Sequence, residues 1–172
     1  MAAGRKWLFL NEAFLSNGIS AALGRNKTCR ENGPKDKSEI LGRALRTALI
    51  NLAAQYSSPV GEEEHIQKIA ELAAGISTSC AECLKNGFGF GAAHKAVNVY
   101  LKFLWCEFRI AMPPHCPFDD GMIRRLKLPR GCGRKWTRGT EQDYRAWVAG
   151  AKQDAGTEPL ALWELRQWPT NA

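Results

Sequence analysis

From Phe88 to Leu126 the chain reads FGFGAAHKAVNVYLKFLWCEFRIAMPPHCPFDDGMIRRL, and the reading of this stretch decides the fold. A glycine-rich turn (Gly87, Gly89, Gly91) leads into a segment that is apolar on nearly all sides, through Ala93, Ala96, Val97, Val99, Tyr100, Leu101, Phe103, Leu104 and Trp105. A helix apolar all round, yet too short and too polar at its ends to span a bilayer, belongs in the middle of a globular core. Its few polar side chains stand out for that reason. Lys95, Asn98 and Lys102 recur at i, i+3 and i+7, a spacing that puts them on one side of the helix. A proline-bounded loop follows, and Pro117-Phe118-Asp119 sets an aspartate at the start of the next helix.

Working outward, every other segment is helical or loop. Residues 1–24 hold an apolar patch, WLFLNEAFL, read as a short helix or an extended piece packed on the core. Arg25 to Lys37 is a loop by its Asn-Gly-Pro turn chemistry. Ser38 to Tyr56 is a helix with Leu41, Leu45, Leu49 and Leu52 on a 3.6-residue period. Glu62-Glu63-Glu64 suits the positive end of a further helix reaching Ala74, and Thr78 to Lys85 reads as another short one closed by Asn86-Gly87. Thr140 with Asp143 three residues on is close to a capping box for a helix to Ala155. Thr157-Glu158-Pro159 starts the last helix, where Leu160, Leu162, Trp163, Leu165 and Trp168 are expected to close the core. No segment alternates as a strand does. The expected fold is all-α: one compact helical domain over residues 1–172.

Composition narrows the function. A chain of 172 residues with 45% hydrophobic and 24% charged residues has the make-up of a soluble globular domain. Its formal charge of +7 favours a polyanionic partner if the cations cluster. They do cluster. Arg124, Arg125, Lys127, Arg130, Arg134, Lys135 and Arg138 follow Asp119 without one acidic residue among them, and Trp136 lies within the run. Basic loops with an aromatic suit a nucleic-acid backbone; the plainer alternative is a solvated charged face. Six cysteines make no disulfide framework, and Cys80-x-x-Cys83 lacks both the neighbouring strand of a redox motif and a second ligand pair for zinc. No metal, no cofactor, no membrane contact and no targeting segment are expected; reduced thiols point to a cytoplasm, and a monomer is expected.

Gly91-Ala92-Ala93-His94-Lys95-Ala96-Val97-Asn98-Val99-Tyr100-Leu101, with Phe118-Asp119 beyond it, resembles the helix-hairpin-helix DNA glycosylases. That family carries a Gly-x-Gly-x-Lys-x-Ala-Asn-Val-x-Leu pattern and a later Val-Asp. Ala93 replaces the second hairpin glycine, and the connection from Lys95 to Asp119 is longer than most members show. Archaeal 8-oxoguanine glycosylases, with a longer connection and an irregular hairpin, are the nearer comparison. The resemblance implies a helix-hairpin-helix motif, an active-site cleft between helical subdomains and base flipping. It also implies a glycosylase with lyase activity, in which Lys95 attacks C1′ of the deoxyribose to form a Schiff base. Asp119 then takes the lysine's proton or stabilises the cationic sugar. Gly89 and Gly91 would offer N–H groups to phosphate, Arg124, Arg130, Arg134, Lys135 and Trp136 would bind DNA, and Asp143 with Trp147 would read the base. The excised base is 8-oxoguanine or a bulky modified cytosine of phage DNA, so the role is repair or antiviral defence. Two other classes stay open: a non-catalytic DNA-binding module in which Lys95 only meets phosphate, and a helical protein–protein adaptor. Each site residue also has an ordinary reading, for Asp119 a helix cap, for Trp147 core packing and for His94 and His115 structural or exposed roles.

Overall fold

A computed structural model describes residues 2–24 and 28–167. Among these residues there are seven α-helices: α1 (Ala2–Leu23), α2 (Lys37–Ala53), α3 (Glu62–Ser79), α4 (Phe90–Cys106), α5 (Asp120–Arg125), α6 (Glu141–Ala155) and α7 (Leu160–Arg166). Short 3₁₀ turns cover Ala54–Tyr56 and Trp136–Arg138. No strand occurs among the described residues, so the fold is all-α. Cys29 and Leu84 form a lone antiparallel bridge. Trp168 and residues 25–27 lie outside the described part of the chain.

Helix α4 is the centre, as its all-round apolar sequence requires. Ala92, Ala93, Ala96, Val97, Tyr100, Leu101 and Leu104 are all buried. Removing one such side chain, as in Leu101→Ala, takes away both transfer free energy and packing, typically about 2–5 kcal/mol. Against it lies α1, longer than the patch WLFLNEAFL suggests. Small residues allow that extension: a Cβ at Gly18 would stand 3.0 Å from the Ala96 carbonyl oxygen, so glycine lets the backbones meet. Phe14 stacks on Phe103 at 5.1 Å further along the same interface.

Three boundaries differ from expectation. Helix α3 runs to Ser79 rather than Ala74, because Ile76 continues its buried face. The separate helix expected over Thr78–Lys85 is absent. Turn bonds from Cys83 and Leu84 N–H to the Cys80 carbonyl fill that place, and Lys85 N–H then bonds the Thr28 carbonyl. Helix α2 ends at Ala53 and closes as a 3₁₀ turn to Tyr56. At α6 the expected box is complete: Thr140 Oγ1 accepts from Asp143 N–H, and the Asp143 carboxylate accepts from Thr140 N–H.

Candidate active site

Lys95 is a partly exposed position on an α4 that is otherwise buried through most of its length. Phe90 begins the helix, so Lys95 falls in its second turn. The helix dipole acts mainly within the first turn, and its pull on Lys95 is correspondingly reduced. Burial is the larger influence. Desolvation holds the amine below the ordinary lysine value, opposed by the negative charge of Asp119 and Glu164. Nζ donates to the Phe118 carbonyl oxygen at 3.2 Å, which ties the amine to the residue just before Asp119.

Asp119 caps α5. Its Oδ1 accepts from Met122 N–H at 2.7 Å while its backbone is extended. The side chain is otherwise exposed, and among the described residues nothing hydrogen-bonds its other oxygen. Lys95 and Asp119 line one cleft of about 680 Å³, together with Asp120, Arg124 and Trp136. That size suits a small-molecule or nucleotide-sized guest. The two groups are not in ion-pair contact, so neither neutralises the other by direct pairing. An amine shifted toward its neutral form beside a carboxylate with a free oxygen can carry out nucleophilic attack with proton removal.

Ser20 and Ala21 of α1, with Gly24 just beyond its end, also line the cleft. Nothing in the motif points there; the available signal is the run of small residues from Gly18 to Ala22, which marks close helix packing. The motif does not mark Asp120 either, although it adjoins Asp119 in the chain. Its carboxylate accepts Trp136 N–H at 3.1 Å.

Of the basic run, Arg124 lines this cleft, and the other cations continue along the chain from α5 onward. Arg124, Arg125, Lys127, Arg130, Arg134, Lys135 and Arg138 are all exposed. None of them joins an ion pair among the described residues. The pairs gather elsewhere, as Arg145 with Glu63 and Glu141, Lys152 with Glu62, and Lys68 with Glu64. The cations of this segment are therefore unpaired, while those of α3 and α6 are compensated.

Four residues assigned by resemblance are placed away from the cleft. Asp143 and Trp147, expected to read a base, hold the basic segment. Gly133 N–H donates to Asp143 Oδ1 at 2.7 Å, and Trp147 Nε1–H donates to the Gly133 carbonyl at 2.8 Å. Desolvation pushes the Asp143 carboxyl up, but the bonds from Thr140 and Gly133 outweigh it and keep it below the usual value. Trp147 is fully buried and has no face left for stacking. Gly91 does not offer its N–H to phosphate: that group donates to the Gly139 carbonyl at 3.0 Å. A Cβ on Gly91 would come within 1.8 Å of the Trp136 carbonyl oxygen, so this glycine serves the approach of the 3₁₀ turn. Gly89 is the N-cap of α4, and its carbonyl accepts from Ala92 and Ala93 N–H. Trp136 borders the cleft but is itself almost wholly buried.

The other two polar residues of the α4 stripe go inward. Lys102 pairs with Glu164 at 2.7 Å. Asn98 joins a buried chain: Tyr56 OH to His65 Nδ1 at 2.6 Å, His65 Nε2 to Asn98 Oδ1 at 3.0 Å, Asn98 Nδ2 to Tyr144 OH at 3.0 Å, and Tyr144 OH to His115 Nδ1 at 3.0 Å. One assignment satisfies every link, with both imidazoles neutral and protonated on Nε2, and it leaves His115 Nε2–H at the end of the chain without a partner among the described residues. His94, fully buried among Phe118, Tyr144 and Trp147, has no normal hydrogen bond on either nitrogen, although the Gly91 and Phe118 backbones lie close enough to favour its charged form. No family model, curated protein or solved structure matches this chain at a significant level.

Proposed function

We propose that this protein is a DNA glycosylase with lyase activity, and that Lys95 and Asp119 are its reacting groups. One observation carries the reading: a half-buried amine held toward its neutral form and a carboxylate with a free oxygen share one cleft, beside a segment of unpaired cations. Phosphates would meet Arg124, Arg130, Arg134 and Lys135 and release counterions on binding. A nucleotide turned out of the duplex then enters the cleft. Lys95 Nζ attacks C1′, and the bond from C1′ to the base breaks with its electron pair leaving on the base. Asp119 accepts the proton the amine loses. Opening of the sugar ring gives the imine, whose β-elimination cuts the strand on the 3′ side. The cleft's polar walls and volume fit an oxidised purine such as 8-oxoguanine or a bulky modified cytosine of phage DNA. Its place in a cell would be base-excision repair or defence, accordingly.

The test is borohydride trapping on duplexes that each carry one modified base. A stable protein–DNA adduct with wild type and none with Lys95→Gln supports the reading. Release of no base from any duplex, with DNA binding intact, moves the protein to the second class, a DNA-binding module. The cap bond from Met122 to Asp119 favours that class, since it gives the carboxylate a structural purpose of its own.

A further inference from the structure

The basic segment beyond α5 is not a loose loop. Its backbone is held at three separated points. At Gly133, Asp143 takes the N–H and Trp147 donates to the carbonyl. At Gly139 the carbonyl receives Gly91 N–H, and a Cβ there would sit 2.3 Å from Trp147 Cη2. Between them, Trp136 N–H donates to Asp120 Oδ1. Arg134 and Lys135 lie between the Gly133 and Trp136 points, exposed and without an ion pair among the described residues. The outer points fasten the strap to α6 and to the first turn of α4. The middle one fastens it to the first residue of α5, next to Asp119 and on the cleft itself.

We propose that Asp120 is a positioning residue: its carboxylate locks the basic strap to α5, so that phosphates held by Arg134 and Lys135 set where the DNA strand lies relative to Lys95 and Asp119. This rests on the DNA-acting function proposed above. A negative charge beside a phosphate-binding strap works against affinity by Coulomb's law alone. Its presence is understandable if the acceptor oxygen matters more than the charge, because an unfixed strap must be ordered when DNA binds and loses affinity by that entropy.

The two contributions separate by sign. Asp120→Asn removes the charge and keeps an acceptor oxygen for Trp136 N–H; Asp120→Ala removes both. Both remove the same favourable charge from the start of α5, so that contribution cancels in the comparison. With melting temperatures recorded for each variant, affinity for duplex DNA is measured against salt, and amide exchange at Trp136 is followed in the free protein. The expected result is tighter binding by Asp120→Asn, by about a few-fold, and weaker binding by Asp120→Ala, by about tenfold. Trp136 N–H should exchange faster in the alanine variant only. At saturating DNA, imine trapping by Asp120→Ala should also slow, since displacement of the strand by about 1 Å can cost a hundredfold.

Equal, same-direction shifts in both variants would reduce Asp120 to a charge and overturn the proposal. Unchanged exchange at Trp136 in Asp120→Ala would overturn it also, because the lock would not exist. Loss of trapping in Asp120→Asn with binding intact would make Asp120 a reacting group, which contradicts a positioning role. If wild type binds no DNA at low salt, the functional reading falls and this role with it. Parallel shifts in the two variants of a wild type that does bind would sink this proposal alone.

Discussion

Helix α4 carries two polar assemblies that differ in how they are completed. Asn98 belongs to a closed one, a continuous buried chain through Tyr56, His65 and Tyr144 that ends on His115, where only the terminal Nε2 lacks a partner among the described residues. Lys95, three residues earlier, belongs to an open one, where the amine has a single carbonyl partner and the nearby carboxylate keeps a free oxygen. A buried polar group left unpaired is costly, so closure is what stability demands. Groups left open at a solvent-filled cleft have no such demand on them. The closed assembly should therefore fail as a unit with the fold, and the open one should fail in chemistry while the fold persists.

Acid should produce the largest effect, and it acts on the buried histidines, two of which, His65 and His115, belong to the closed assembly. Burial holds His65, His94 and His115 down to about 3, from an ordinary 6.5. The folded protein keeps all three neutral, while the unfolded chain takes up their protons as pH drops below 6.5. Stability is thus full above about pH 6.5 and declines as pH falls toward 3. Thermal melts across that range should fall steeply and cooperatively, and His94→Gln should make the decline shallower. A melting temperature flat from about pH 6.5 to 4 would mean the histidines are solvated.

On the open side, Lys95→Gln should abolish the borohydride adduct and slow base release by about a thousandfold or more, with the melting temperature little changed. Lys102 sits on the same face by spacing, but it makes a poor control. Its partner Glu164 is buried, and stripping the cation from a buried pair costs about 3–5 kcal/mol. Exposed Lys85 is the better one. If Lys95→Gln still traps at the wild-type rate, the nucleophile lies elsewhere.

Asp119→Asn comes next. Asparagine caps a helix about as well as aspartate, so stability should move by less than about 0.5 kcal/mol. Turnover should fall about a hundredfold or more, because an amide neither accepts the proton nor balances positive charge on the sugar. Equal single-turnover rates would assign Asp119 to capping alone. The comparison then sharpens on one carboxylate, whose Oδ1 belongs to the fold and whose other oxygen is free for chemistry.

These contrasts also explain how much the sequence alone reveals. The core is legible because α4 has no polar face wide enough to meet solvent, and Asp119 is legible as a helix start because the cap is a local device. Trp147 misleads for the opposite reason. A tryptophan one turn from an aspartate has the same sequence signature whether it stacks on a base or donates to the Gly133 carbonyl; only the path of the strap decides. Gly91 reads as a phosphate cradle for lack of its neighbour, the Trp136 carbonyl, which lies far along the chain. The α1 side of the cleft is not legible at all, since Ser20 and Ala21 reach it through helix packing and not through any motif.

The smallest effect should come from the strap's cations, and it tests whether the open side is built for a polyanion. Arg130, Arg134 and Lys135 are exposed and unpaired, so replacing all three with glutamine removes no internal ion pair. The melting temperature should stay within about a degree or two, as surface changes commonly allow. Affinity for duplex DNA should drop about tenfold or more, equally for every sequence, because bonds to phosphate carry no base information. The slope of log affinity against log salt should flatten by about 0.9 for each phosphate that is no longer neutralised. Arg145, Lys152 and Lys68 provide the contrast within the same molecule. Each is already neutralised by a glutamate on α3, so a triple glutamine variant there should leave the salt slope unchanged while lowering stability slightly. Equal weakening of DNA binding in the two triple variants would show that net charge alone attracts the DNA. Undiminished binding by the strap variant would remove the strap from the interface altogether.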